Sequence, residues 1–281
     1  VLANGEHREM PVPDLPGLGV DGAAASAWAT FGARTALAAF LIVYILRLPE
    51  AKAWNLWRKP ARDPEVEREQ VKVGLGAGAS NFIEVSAFAA MTLIAGRLGA
   101  NETASWAIVI NMSAIVFMLP MGLSSATAVL VGRAYGAQDR AGVLRAGLCG
   151  LGVVTVLAFL VALLIWPTAG LLVRAYTDDP ALIAIAGPAL VLSTLFFVAD
   201  GIQVVAAQAN RAAGDVWWPT IMHFAAYGAI MMPLGWVLAP GLGVDGLVWA
   251  VIIASLVSGG LLTGRFLRVA RRAPHPLHAE G

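Results

Sequence analysis

Of the 18 Asp and Glu in this chain, only Glu84 and Asp200 fall deep inside long apolar stretches. Glu84 stands eleven residues after Val73, and Asp200 eleven residues before Arg211. On a helix either offset is about 16 Å of axial rise. An ionised acid at the middle of a bilayer costs about 2.5–3.5 kcal/mol on insertion scales, and such residues usually face a bundle interior or a watery cavity. Each acid has polar company at helical spacing: Ser80 and Asn81 before Glu84, Gln203 after Asp200. Positions three or four apart share a helix face. Two acids facing one cavity would repel each other and favour uptake of a proton or a monovalent cation. The alternative for either is a packed acid hydrogen-bonded to a neighbouring helix. His223 is a lone histidine in an apolar stretch, and a hydrogen-bonded packing role is expected for it. Pro120, with Gly122, is expected to break the third stretch, while Pro188 and Pro233 interrupt the fifth and sixth.

The elements that must position these residues are membrane helices. The chain is 58% hydrophobic and 13% charged, against about a quarter charged in a soluble domain. A net charge of +1 gives no reason to expect nucleic acid. Seven stretches reach the roughly 20 apolar residues that a span needs. They lie near Gly22–Leu46, Val73–Ile94, Ala104–Val131, Ala146–Trp166, Leu182–Ala207, Trp218–Leu238 and Leu247–Phe266. None alternates with period two, so helices rather than a β-barrel are expected.

Charge orients them. The connections after the first, third and fifth spans, and the tail, carry Arg47, Lys52, Arg58, Lys59, Arg62, Arg68, Lys72, Arg133, Arg140, Arg145, Arg211, Arg265, Arg268, Arg271 and Arg272. The other faces hold only Arg8, Arg97 and Arg174. This bias puts the C-terminus on the cytoplasmic side of the plasma (inner) membrane. Trp166, Trp217, Trp218 and Trp236 fall at span ends, as in an interfacial belt. The segment 48–59 suits a short surface helix and 60–70 a charged, solvated linker. Gly74, Gly76, Gly78, Gly132 and Gly136 suit close helix packing.

The heptapeptide Pro-Gly-Leu-Gly-Val-Asp-Gly occurs at Pro16–Gly22 and again at Pro240–Gly246, 224 residues later. Six spans separate the copies, so both lie on one face. Two similar halves running in the same direction are implied, related by an axis along the membrane normal. The chain is then expected to hold the end of one half (1–46), an interlobe linker (47–72), a whole second half of six helices (73–272) and a tail (273–281). The rest of the N-terminal lobe, roughly five spans, is expected to precede Val1. No Walker loop, metal-ligand set or nucleophile with partners is present, so neither an enzyme nor a cofactor is expected. Cys149 alone forms no internal disulfide.

Three segments resemble the multidrug and toxic compound extrusion (MATE) family: NFIEVSAFAAMTLIAGRLG (81–99), NMSAIVFMLPMGLSSATAVLVGRAYG (111–136) and DGIQVVAAQANRAAGDVWWP (200–219). The likeness runs from about Pro16 to Arg272. It implies an all-α polytopic bundle of two six-helix lobes with a cavity between them, of which seven spans are here. It further implies an antiporter that exports amphipathic, often cationic small molecules in exchange for sodium or protons. Glu84 and Asp200 match the positions that contribute to the cation site of the NorM-like branch, where a Tyr often precedes the Asp by one turn. Here that position is Phe196, which has no oxygen, so a sodium site of that kind is in question and proton coupling stays open. A lipid or oligosaccharide flippase of the wider superfamily, or a non-transporting half-protein, are the alternatives.

Overall fold

A computed structural model describes residues 22–49 and 63–272, and every regular element among them is helical. They form α1 (Gly22–Arg47), α2 (Pro64–Leu98), α3 (Ala100–Gly136), α4 (Arg140–Arg174), α5 (Pro180–Ala212), α6 (Trp217–His223), a π-helical segment (Phe224–Met231), α7 (Met232–Leu242) and α8 (Val244–Arg272). With the pieces from Trp217 to Leu242 counted as one span, seven helices are long and apolar enough to cross a membrane. They coincide with the seven expected stretches, and most run past them at both ends. The chain divides into two units, residues 1–63 and 64–281. In the first, the described helix is α1. The first heptapeptide up to Asp21, and the expected surface helix from Glu50 onward, lie outside the described residues.

The second unit is built around α5, which packs against α3, α4 and α8. Helix starts follow from local chemistry. Asp179 caps α5 by accepting from the Ala181 N–H, and Pro180 occupies the first helical position, where its missing donor costs nothing. Asp139 caps α4 through the Gly142 N–H. The charged run Glu65–Gln70 is the first part of α2 rather than linker, since Pro64 opens that helix and Glu65 and Glu67 favour its positive end.

Two further expectations change. α3 passes through Pro120 and α5 through Pro188 as continuous helix, so Pro120 is not a break. In lipid, local adjustment and neighbouring helices make a single proline tolerable. The irregular stretch is in the sixth span, where the Met232 N–H reaches back to the Tyr227 carbonyl just before Pro233, which has no N–H of its own. Of the glycines expected to serve packing, Gly76 lies against Val216, whereas Gly74, Gly78 and Gly136 meet no neighbour among the described residues.

The second heptapeptide forms the hairpin between α7 and α8. Gly243 has φ 60°, and a Cβ on Gly246 would stand 2.6 Å from the Leu238 carbonyl oxygen. The Glu102 carboxylate, at the start of α3, accepts from the Val244 N–H at 3.1 Å. This second copy is therefore a turn with conformational and steric reasons for Gly243 and Gly246, whereas Gly241 faces open space.

Apolar residues bury in two clusters. One includes Met91, Trp106, Leu190, Phe197, Tyr227 and Leu247; the other includes Val131, Val143, Val205 and Phe266. Along α5, Asp200 and Gln203 fall between Phe197 of the first cluster and Val205 of the second.

Candidate functional site

A polar layer occupies that gap. α5 contributes Asp200 and Gln203, three residues apart and so on one face. α2 contributes Ser80 and Glu84, four apart. The sixth span contributes His223 and Tyr227 at the same spacing, and α8 contributes Ser258. Gln203 is fully buried and lies at the centre. Its Nε2 donates to Glu84 Oε1 at 3.3 Å and to Asp200 Oδ1 at 3.1 Å. His223 Nε2 is 2.8 Å from Gln203 Oε1, and its Nδ1 is hydrogen-bonded to the Ser80 hydroxyl. Ser258 Oγ also reaches Gln203 Oε1, at 3.4 Å. The Tyr227 hydroxyl donates to Asp200 Oδ1 at 3.4 Å. Ser80, Tyr227 and His223 are buried, Asp200 is 8% exposed, and Glu84 is half-buried.

The two acids thus share one amide, although 116 residues separate them in sequence. Neither forms a salt bridge with a Lys or Arg among the described residues. Arg211 ends α5 partly buried, bonded through Nη1 to Gln208 Oε1 at 3.2 Å; its Nε and Nη2 have no hydrogen-bond partner among the described residues, and its charge acts on Glu84 at longer range. A buried and a half-buried carboxylate thus meet on one amide, with neutral hydrogen-bond donors on both.

Ser80, Glu84, Asp200 and Gln203 come together here. Asn81 does not join them: one residue on from Ser80, its side chain turns to an exposed face. Pro120 packs near Gly201 on α5, outside the polar layer. His223, expected to serve packing, is a member of the network. Tyr227 was not expected. It places a phenolic oxygen beside Asp200 from the sixth span, whereas Phe196 is buried edge-on against Phe197. One signal was available: His223 and Tyr227 are polar residues four apart in an otherwise apolar span. Of the tryptophans, Trp218 lies under Arg265 and Trp236 under Arg97, at 5.0 and 4.4 Å to the ring centroids.

The family model described as MatE matches residues 77–237, which contain Ser80, Glu84, Asp200, Gln203, His223 and Tyr227. A probable multidrug resistance protein NorM of Caulobacter vibrioides is 51% identical over 257 residues, covering 91% of this chain and 55% of the relative. The multidrug resistance protein NorM of Photobacterium profundum is 37% identical over 201 residues, 70% of this chain and 44% of that protein. This chain therefore spans about half the length of the curated relatives it matches, corresponding to their C-terminal portion. Among solved structures, a MATE in the bent conformation superposes with TM-score 0.73 at 16% identity, covering 84% of this chain and 54% of that one. The eukaryotic MATE transporter AtDTX14 gives 0.73 at 17%, with 83% and 54% covered. At such identities the structures speak for the fold alone, and the sequence matches supply the family: this multi-pass membrane chain belongs to the MATE family.

Proposed function

We propose that the intact protein is a secondary active antiporter of the plasma membrane, exporting amphipathic, often cationic compounds in exchange for inward-moving sodium or protons. The observation that carries this reading is the meeting of Glu84 and Asp200 on Gln203 in the middle of the bundle, with no salt bridge on either acid among the described residues. An acid pair that only packed a bundle would be expected to carry a neutralising Arg or Lys, because an unpaired charge inside a membrane is costly. The negative charge of the pair is what a coupling ion would meet there. Loading one ion removes one of the pair's two negative charges; a positively charged substrate competes for the same negative charge. Each species then biases the conformation that the other binds, which is the requirement for exchange.

The names of the relatives, multidrug resistance proteins, support the substrate class. The distribution of Lys and Arg supports a cytoplasmic C-terminus. The test is efflux of a fluorescent organic cation from cells expressing the full-length gene, with and without sodium and across pH. Efflux that tracks one ion and is lost in Asp200→Asn and Glu84→Gln supports coupling through this pair. Unchanged efflux in both variants moves coupling elsewhere, and no efflux in the wild type favours a flippase.

A further inference from the structure

Gln203 carries one oxygen and one amino nitrogen of similar size and opposite hydrogen-bonding sense. Which end faces the acids decides what the site can hold. The nitrogen offers hydrogens to carboxylates; the oxygen offers a lone pair, which suits a hard cation and repels an ionised acid. In this structure Nε2 faces Glu84 and Asp200, while Oε1 is turned onto His223 Nε2 at 2.8 Å and Ser258 Oγ at 3.4 Å. An amide oxygen cannot donate, so the hydrogen of that short contact sits on the imidazole Nε2. In the neutral ring Nδ1 is then bare, and it accepts from the Ser80 hydroxyl. Donation runs one way, from Ser80 through His223 and Gln203 to both acids.

We propose that His223 is a positioning residue of the coupling site: by holding the Gln203 oxygen it keeps the amide hydrogens on Glu84 and Asp200 and reserves the pair for a proton rather than sodium. This rests on the reading of Glu84 and Asp200 as the coupling pair. The groups facing His223 fit the assignment. Ser80 and Glu84 come from α2; Gln203, Asp200 and, at longer range, Arg211 come from α5. Tyr227 lies on the same span, its ring centroid 5.8 Å from the imidazole, and Ser258 is on α8. Glu84 Oε1 and Asp200 Oδ1 both accept from Gln203 Nε2, with the Tyr227 hydroxyl a further donor to Asp200. Their second oxygens can take one proton between them. Sodium would need neutral oxygens around it; the amide oxygen that could serve is held away and Phe196 has none to give, which leaves the Tyr227 hydroxyl beside Asp200.

The test uses the full-length protein in phosphatidylethanolamine–phosphatidylglycerol vesicles, with ethidium exchange driven by either a pH gradient or a sodium gradient. Wild type should respond to the pH gradient alone. His223→Gln keeps a donor nitrogen near the position of the imidazole Nε2 and should retain the same ion and most of the rate. His223→Leu frees the amide to turn; pH-driven exchange should fall at least about tenfold, and the sodium gradient should begin to drive ethidium. Exchange driven by sodium in the wild type overturns the proposal. So does a His223→Leu protein with unaltered pH profile and ion choice, or a His223→Gln protein as impaired as His223→Leu. If His223→Leu does not give a monodisperse protein, Ser80→Ala takes its place. It removes the donor that fixes the imidazole and should weaken pH-driven exchange about two- to fivefold; an unaltered profile overturns the proposal. Glu84→Gln and Asp200→Asn run in parallel. Coupled exchange surviving in both would sink the coupling reading itself, whereas its loss there with His223→Leu unaffected would sink only the role of His223.

Discussion

Asp200 and Asp215 lie fifteen residues apart, one within α5 and the other just past its end, yet their surroundings are opposite. Asp215 holds Arg265 of α8 at 2.5 Å, and that guanidinium lies over Trp218. Its charge is cancelled on the spot, and the contact ties the loop after α5 to α8. Asp200 is buried at the bundle centre beside a second acid, with only neutral donors for company. A satisfied acid is a fastener. An unsatisfied one is a demand for positive charge, and the difference between them is one arginine.

The sharpest way to break this comparison is Asp200→Asn, which keeps the shape and removes the demand. Ion-coupled efflux should fall by about 5–150-fold, the range of ordinary coupling free energies, while the melting temperature in detergent holds or rises. Glu84→Gln should act in the same direction but less, since Glu84 is half-buried and meets Gln203 at the longer distance of 3.3 Å. At the fastener the pattern should invert. Arg265→Ala leaves Asp215 without its partner, and stability should drop by about 1–3 kcal/mol, read as a lowered melting temperature, with ion choice unaltered. A change of coupling ion in Arg265→Ala would erase the distinction.

Gly246→Ala probes the turn. A Cβ there meets the Leu238 carbonyl, so the α7–α8 hairpin must shift, at a cost of about 1–3 kcal/mol. Smallest is Pro120→Ala, which lies inside a continuous helix. It should change stability by less than about 1 kcal/mol and leave efflux as it is. A large loss of transport there would restore Pro120 as a functional break.

The spans were legible in the sequence because crossing a bilayer is a property of one segment at a time. Twenty apolar residues must become a helix whatever their neighbours do. The acids were legible for the same reason, since their cost is local. The turn at Pro240–Gly246 was legible from its glycines, although the reason for Gly246 needed the carbonyl opposite. What stayed hidden depends on helix against helix. Nothing in the sequence puts His223 against Gln203, because that contact depends on how the sixth span packs between α2 and α5. Phe196 was seen to lack an oxygen, but that Tyr227 would bring one to Asp200 from another helix could not be read from spacing. Asn81 and Ser80 are adjacent and equally polar, and only packing separates the buried one from the exposed one. Pro120 misled because a proline rule learned in water is weaker where neighbouring helices can absorb it.

The widened turns between Phe224 and Met231 carry a consequence for the length of the chain itself. The sixth span is keyed to α2 at both ends. Thr220 donates to the Gly76 carbonyl at 2.8 Å before the widening, and Gly235 closes against Met91 after it. A membrane would accept a span shorter by one residue, about 1.5 Å of rise. In regular α-helix the keys would not, because each residue turns the chain by about 100°. Alignment by hydropathy would score a deletion anywhere in the span as harmless. The widened turns hold more residues than α-helix of the same reach, so one removed there can be absorbed by relaxing to α-helix; one removed from the regular turns on either side would rotate His223 off Gln203 or unseat Gly235 from Met91, so in this span the place of each residue belongs to the site as much as its kind.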